Sequence, residues 1–358
     1  MQPTYVILVI NTGSSSTKVA LFHEQELLWK EEIAHPSDQL RSLSLIEHEI
    51  TYRQEAIQST LQKHQISVEQ ITAIGAIGGI LKPMEGGVYS VNKLMVEDIL
   101  NGKTQARHAS NLAAVIGYRL SQPVGKTCYI IDPISTDELP DMAKITGLPT
   151  VPRKSRTHAL NVKACYRRAV RENIIEPQQT LIVAHMGGGL TVNLVQNGRI
   201  TDIEDGRQNG PFSTEAAGGV PLPDFIETYW EKGLTAKEMK KFWYGNGGVM
   251  AHLGTNSVKN AVEMAKNGDT HAEIILQAMC YQISKSAGAM YAAARGAVDA
   301  LILTGGIAQS EYINQILKKY LCWIRPIVVY PGEEELLAIA ESVELVLDKK
   351  LPEKVYHE

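Results

Sequence analysis

The chain has 358 residues, 44% hydrophobic and 21% charged, with 35 basic against 39 acidic side chains and a net charge of −4. That is enough for one or two domains with a large buried core, and it excludes disordered, collagen-like and fibrous classes. The near-neutral balance, with no Lys/Arg-rich block, gives nucleic acid or an anionic membrane nothing to hold, so small molecules are the expected partners.

Four cysteines, Cys128, Cys165, Cys280 and Cys322, stand far apart without a CxxC pair, which argues against a disulfide framework or a zinc spacing. The start of the chain enters a strand-like run by Tyr5 without a basic or apolar leader, and the apolar stretch 287–308 is interrupted by Arg295, Asp299 and glycines. Cytoplasmic residence without membrane insertion is expected.

In chain order, a strand is predicted over 5–10 (YVILVI), then a turn at 11–17, a strand over 18–22 and another near Leu27. A further strand over 71–77 ends at Gly78-Gly79, and a helix over 110–120 carries Leu112, Val115, Ile116 and Leu120 on one face. After a helix over 159–171 the opening block returns: strand 181–186, Gly187-Gly188-Gly189, strand 190–195, an Asn197-Gly198 hairpin and strand 199–203. A helix over 271–295 precedes strand 299–304, which ends at Gly305-Gly306 before a helix reaching Tyr320; a last helix covers 333–347. Alternating helices and strands in two related halves predict an α/β chain of two duplicated domains. The boundaries are placed at 1–176 for the N-terminal domain, 177–340 for the C-terminal nucleotide-binding domain and 341–358 for a C-terminal helix and tail packing back on the first domain, with hinge candidates at 176–180.

A backbone turn holds polyphosphate when several N–H groups converge without Cβ atoms in the way. Gly13 with Ser14, Ser15, Ser16 and Thr17 has that composition, as does Gly187-Gly188-Gly189 with Thr191. Taken singly, each also reads as a plain hairpin turn; two equivalent ones in a duplicated fold suggest a clamp on one nucleotide. Gly102-Lys103-Thr104 and Gly125-Lys126-Thr127 lack the upstream glycine of a P-loop, having Glu97 and Leu120 there, and no GxGxxG follows a strand, since Val192 stands where the last glycine is required. A dinucleotide dehydrogenase is disfavoured.

The motifs NTGSSSTK at 11–18, HASN at 108–111, DP at 132–133, RKSRTHALN at 153–161, AHMGGG at 184–189, GPFS at 210–213, LTGGIA at 303–308 and YPGEEE at 330–335 occur in this order over nearly the whole chain. Together they resemble the butyrate kinases of the acetate kinase family, within the superfamily of sugar kinases, heat-shock ATPases and actin. The resemblance implies two duplicated actin/ribonuclease H-like domains with a nucleotide cleft between them, ATP and Mg²⁺ as cofactors, a short-chain carboxylate as substrate and a homo-oligomer. It implies reversible γ-phosphoryl transfer to the carboxylate. By similarity, Asn11 contacts the transferred phosphoryl group, Ser14 to Thr17 and Lys18 support that cradle, and His158 donates to the phosphoryl in flight. Asp132 and Glu334 organise Mg²⁺, His108, His185, Gly78 and Gly79 line the cleft, Gly187 to Gly189 hold the β-phosphate region, Gly305-Gly306 hold the adenosine, and Asn193 adds a polar contact.

Structural readings stand beside these roles: Asp132-Pro133 is a common turn pair, His185 lies in an apolar strand, His108 is placed to begin a helix, and Glu334 suits a helix first turn. Two departures from the family pattern matter more. The family directs arginines at substrate carboxylate and phosphoryl from two positions, which here hold Ile77 and Ala216. Lys82, Arg153, Arg156 and Arg207 lie near these motifs as substitute charges. Two functions follow: an active carboxylate kinase, or a nucleotide-binding paralogue with weak or no kinase activity.

Overall fold

Alternation in the opening block folds as an antiparallel meander of β1 (Val6–Thr12), β2 (Ser16–His23) and β3 (Glu26–Ala34), with β1 and β2 in register from Val6 opposite His23 to Thr12 opposite Thr17. The strands β4 (Ala73–Ile77), β5 (Val88–Ser90) and β6 (Thr127–Ile131) complete this half with the C-terminal strand Glu353–Val355. The order is Glu353–Val355, β5, β6, β4, β1, β2, β3; β4 is parallel to both β1 and β6, and β5 is antiparallel to β6. The computed structural model describes residues 4–43 and 45–357.

The second meander is β7 (Thr180–Met186), β8 (Leu190–Gln196) and β9 (Arg199–Asp205), its hairpin turning at Asn197 and Gly198, both at positive φ. β10 (Ala300–Gly305) and β11 (Ile327–Pro331) extend it to the order β11, β10, β7, β8, β9, with β10 parallel to β7 and β11. The run β6, β4, β1, β2, β3 is thus repeated as β11, β10, β7, β8, β9 with the same strand directions. The expected duplication is present, and the first half carries two additional strands on its β6 edge.

Each sheet is covered on both faces. In the first, a Cβ at Gly117 would meet Cys128 Sγ at 2.4 Å and Ile74 at 3.3 Å, whereas a Cβ at Gly75 would meet Ile339 at 2.4 Å. Ile74 and Gly75 are strand neighbours and point to opposite faces, so Leu112–Ser121 covers one side and Glu335–Leu347 the other. In the second, Leu181 and Val183 pack with Ala159–Arg171, whereas Ile182 and Ala184 pack with Thr270–Ala293.

One unit ends at Asp137 and is completed by the residues from Glu334 onward; the other is Glu138–Glu333. This division precedes the boundary expected at 176. The physical reason is that Ala159–Arg171 packs on β7, and its buried Lys163 pairs with Glu138 at 2.8 Å and donates to the Gly198 carbonyl at 2.9 Å, tying residues from Glu138 to the second sheet. Among the described residues no helix is long and apolar enough to cross a membrane.

Candidate active site

In the first unit, the turn between β1 and β2 closes through the Gly13 N–H donating to the Ser16 carbonyl at 2.8 Å. Ser14 and Ser15 are exposed on it, while Ser16 Oγ donates to Glu32 at 2.7 Å. Thr17 faces inward, fully buried, with its hydroxyl bonded to His35 Nε2 at 2.8 Å and Arg53 Nη1 at 3.0 Å. The fully buried Arg53, which sequence reading missed, also donates to the Ser16 carbonyl at 3.3 Å and is neutralised by Glu49 at 3.0 Å, bracing the turn from behind. Asn11 and Lys18 are opposite one another across β1 and β2 and share a face. Asn11 is 8% exposed and donates through Nδ2 to Glu335 Oε2 at 2.8 Å. Ile10 is paired with Ala76, so Ile77 follows beside Asn11, partly exposed at the end of β4.

Gly78 and Gly79 are places of close packing: a Cβ would lie 2.4 Å from Pro133 Cα at the first and 2.2 Å from Asn111 Oδ1 at the second. Asp132 is buried with φ +37°, and its Oδ1 accepts from the Gly87 N–H at 2.8 Å. His108 caps the short helix Ala109–Asn111, with Nδ1 2.7 Å from Ser110 Oγ. Glu334 is exposed and precedes Glu335–Leu347, its carbonyl accepting from Ala338 N–H at 2.8 Å.

In the second unit, His158 and His185 stack with ring centroids 3.7 Å apart and planes within 11°. Asn161 donates to His185 Nδ1 at 2.9 Å, which leaves the proton on Nε2, 3.2 Å from Glu333 Oε1. Thr157 donates to Asn193 Oδ1, Asn193 Nδ2 donates to Thr191 Oγ1 at 3.2 Å, and the Thr191 hydroxyl lies 3.3 Å from His158 Nδ1 and 3.5 Å from Thr157 Oγ1. The Nε2 edge of His158 lies against Gly189, where a Cβ would come within 2.9 Å. Burial first, then the neighbouring His185 and Arg207, hold the His158 pKa well below its ordinary value, so the ring is neutral at pH 7. Asn193 thus acts through Thr191, which the sequence places with the glycine turn, and Asn161 and Thr157, present in the 153–161 motif without an expected role, are the supporting residues.

The turn at 187–189 is braced by its own Gly187 N–H to Gly189 carbonyl bond at 2.9 Å and by Ser213 Oγ donating to the Gly188 carbonyl at 2.8 Å. Gly187, Gly188 and Gly306 line one pocket of about 330 Å³ with Thr214, Asn256 and Lys259. Nothing lies within 4 Å of a Cβ built at Gly188 or Gly306, whereas one at Gly305, at φ +87°, would sit 2.4 Å from the Met186 carbonyl oxygen. In each glycine pair after a parallel strand, close packing constrains at least one residue; Gly306 alone leaves its surface open.

The substitute cations separate cleanly. Lys82 is committed to the buried Asp98 at 2.6 Å, and Arg153 to Asp202 at 2.9 Å and the Ala143 carbonyl at 2.8 Å. Arg156 and Arg207 line a common pocket instead. Ala216 is 1% exposed and bridged to Tyr244. Among the described residues no three His, Cys, Asp or Glu side chains converge as a protein-only metal cage. The exposed Glu334 and the hydrogen-bonded Asp132 are hard oxygen donors, a sparse set that fits a Mg²⁺ carried chiefly by phosphates and water.

Residues 157–321 match the model of the acetokinase family. The chain is 40% identical over 353 residues to a protein of Caldanaerobacter subterraneus subsp. tengcongensis named probable butyrate kinase 2, covering 98% of this chain and 99% of that one. It is 39% identical to a probable butyrate kinase of Clostridium botulinum strain Alaska E43, covering 99% and 100%. Among solved structures, Porphyromonas gingivalis acetate kinase superposes with a TM-score of 0.76 at 18% identity, covering 96% of this chain and 100% of that one. A propionate kinase from Francisella tularensis gives 0.74 at 18%, covering 94% and 98%, a likeness of fold. The strand order, the repeated meander and the full-length identity agree: the chain belongs to the acetokinase family of carboxylate kinases, alongside the proteins named butyrate kinase.

Proposed function

We propose that the protein transfers the γ-phosphoryl group of ATP reversibly to a short-chain carboxylate, butyrate or a branched analogue, giving an acyl phosphate and ADP. The observation that carries this reading is the placement of His158, whose Nε2 edge borders Gly189 of the glycine turn while burial keeps the ring neutral. A donor held there acts on the equatorial oxygens of a phosphoryl group without needing to gain or lose a proton. The acceptor is ionised at pH 7, so no general base is required. The open surfaces of Gly188 and Gly306, with Lys259 beside them, would take the nucleotide. In the first unit, Asn11 and Lys18 form the second polar group, and Glu335 orients Asn11. Mg²⁺ bound with the nucleotide would neutralise phosphate charge, with Glu334 and Asp132 as its protein-side oxygens. Assembly as a homo-oligomer is part of the same reading.

A specific observation supports the alternative, a nucleotide-binding paralogue with little turnover: Ile77 puts an apolar side chain beside Asn11, and Ala216 is enclosed by backbone. Acyl hydroxamate formation with ATP, Mg²⁺ and acids from acetate to branched C5, run beside a separate ATP-binding measurement, decides between them. Turnover supports the kinase; ATP binding with no product from any acid selects the paralogue.

A further inference from the structure

A pocket of about 790 Å³ lies in the second unit beside the helices Leu222–Trp230 and Ala236–Trp243. Phe225, Ile226 and Trp243 give it an apolar wall. Arg156, Arg207, Lys237, Lys240 and Lys241 also line it, five cations with no Asp or Glu among the lining residues. The apolar wall is a built feature: Phe225 packs edge-on to Trp243 at 5.0 Å and Tyr229 against Phe242 at 5.1 Å, which holds the two helices together. Arg207 lies over the Tyr244 ring at 5.4 Å, keeps a long contact to Asp205 at 3.5 Å and remains 31% exposed. It is also one of the charges that hold His158 neutral, so the cationic side of the pocket acts on the imidazole at the glycine turn. Trp243 Nε1 is shielded from solvent and has no hydrogen-bond partner among the described residues.

A pocket lined by cations and aromatic side chains selects an amphipathic anion. The volume is that of a drug-sized ligand, and a four-carbon acid would leave most of it empty. We propose that this pocket receives the phosphoryl acceptor, a monocarboxylic acid whose apolar group is larger than that of butyrate, with Arg207 and Arg156 holding its carboxylate. The assignment rests on the kinase reading above and moves its substrate from butyrate to a larger acid. In the step, a carboxylate oxygen forms a bond to the γ-phosphorus while the bond from that phosphorus to the β,γ-bridging oxygen breaks, leaving ADP; no proton and no redox partner is needed.

The test uses the full chain with butyrate, hexanoate and 3-phenylpropanoate as probes, measuring hydroxamate formation and, separately, 3-phenylpropanoate binding by calorimetry without nucleotide. The expected result is binding, and a kcat/KM for 3-phenylpropanoate at least about tenfold above that for butyrate, in line with the discrimination available per buried methylene. Arg207→Gln should raise KM for every acid at least about tenfold while ATP affinity stays within about twofold, with partial recovery in Arg207→Lys. Phe225→Ala should penalise 3-phenylpropanoate and hexanoate but spare butyrate. Turnover of butyrate without binding or preference for the larger acids overturns the pocket and leaves the kinase reading standing. Binding that both variants weaken, with no turnover of any acid, keeps the pocket and ends the kinase reading. Binding that survives both variants unchanged overturns the assignment, as does absence of both binding and turnover.

Discussion

The two units repeat one strand order, yet their glycine turns are made differently. In the first, the Gly13 turn is braced by a buried Arg53 bonded to the Ser16 carbonyl and Thr17 hydroxyl, and the nearby Asn11 is held by Glu335. In the second, the turn at 187–189 carries a stacked histidine pair and an open pocket. The same backbone plan thus supports a charge-braced hairpin in one unit and a histidine-flanked glycine turn in the other. The difference teaches that topology fixes where a turn sits and its packed neighbours fix what it does.

The sharpest way to break the comparison is through glycine. Gly305→Ala forces a Cβ onto the Met186 carbonyl at φ +87° and should cost about 2 to 5 kcal/mol, the sum of a left-handed penalty and a backbone clash. Gly13→Ala meets the Ser16 carbonyl only at 3.4 Å and should cost less than about 1 kcal/mol. Urea unfolding of both variants checks the pair; equal losses would end the claim that Gly305 is locked by packing and Gly13 is not.

Next in size is His158→Gln. Removing a donor aimed at developing charge costs about 10² to 10³ in kcat, roughly 2.7 to 4 kcal/mol of barrier. ATP affinity should change by less than about threefold, because the open glycine surfaces remain. If kcat and ATP affinity fall together, His158 serves the fold of the turn rather than transfer.

Ala216→Arg and Ile77→Arg compare the two units at the positions where arginine is missing. Ala216 is enclosed, a Cβ at Gly206 already lying 3.8 Å from its own, so the longer side chain should destabilise by about 1 to 3 kcal/mol. Ile77 ends its strand partly exposed beside Asn11, and Ile77→Arg should cost under about 1 kcal/mol. Thermal melts measure both, and hydroxamate assays of the folded Ile77→Arg protein test whether a cation beside Asn11 raises turnover.

Much of this architecture was legible beforehand because it rests on local periodicity. The helix predicted over 159–171 is observed as Ala159–Arg171, and Asn197-Gly198 supplies the two positive φ values its hairpin needs. Side-chain direction at the turn was not legible: Thr17 belongs to the hydroxyl run by composition, but strand alternation sends it to His35 and Arg53. Nor could three identical glutamates be told apart. Glu333 meets His185 and Glu335 meets Asn11 because the helix carrying Glu335 docks over Gly75, a contact between distant segments. The pocket residues Asn256 and Lys259 carry no motif at all and reach the glycines only through tertiary packing.

The smallest expected effect is on pH dependence, and each unit supplies one histidine. Burial lowers the His35 pKa in the first unit, with Arg53 adding to it, and burial lowers that of His158 further in the second. An unfolded chain protonates both near 6.5, while the folded chain resists, so between that pH and the folded values the unfolded state binds more protons. Stability is therefore fully present above about 6.5 and is lost as pH falls toward each folded pKa. The window is wider for His158, so its share of the acid decline should continue after that of His35 has ended. Unfolding midpoints from pH 8 to 5 should fall less steeply in His158→Gln than in His35→Gln, each judged against the unmodified chain. Arg207→Gln removes the least of the three influences on His158 and should move its ring titration only slightly upward, as followed by NMR. A large upward move would instead make the Arg207 charge, rather than burial, the reason the imidazole stays neutral.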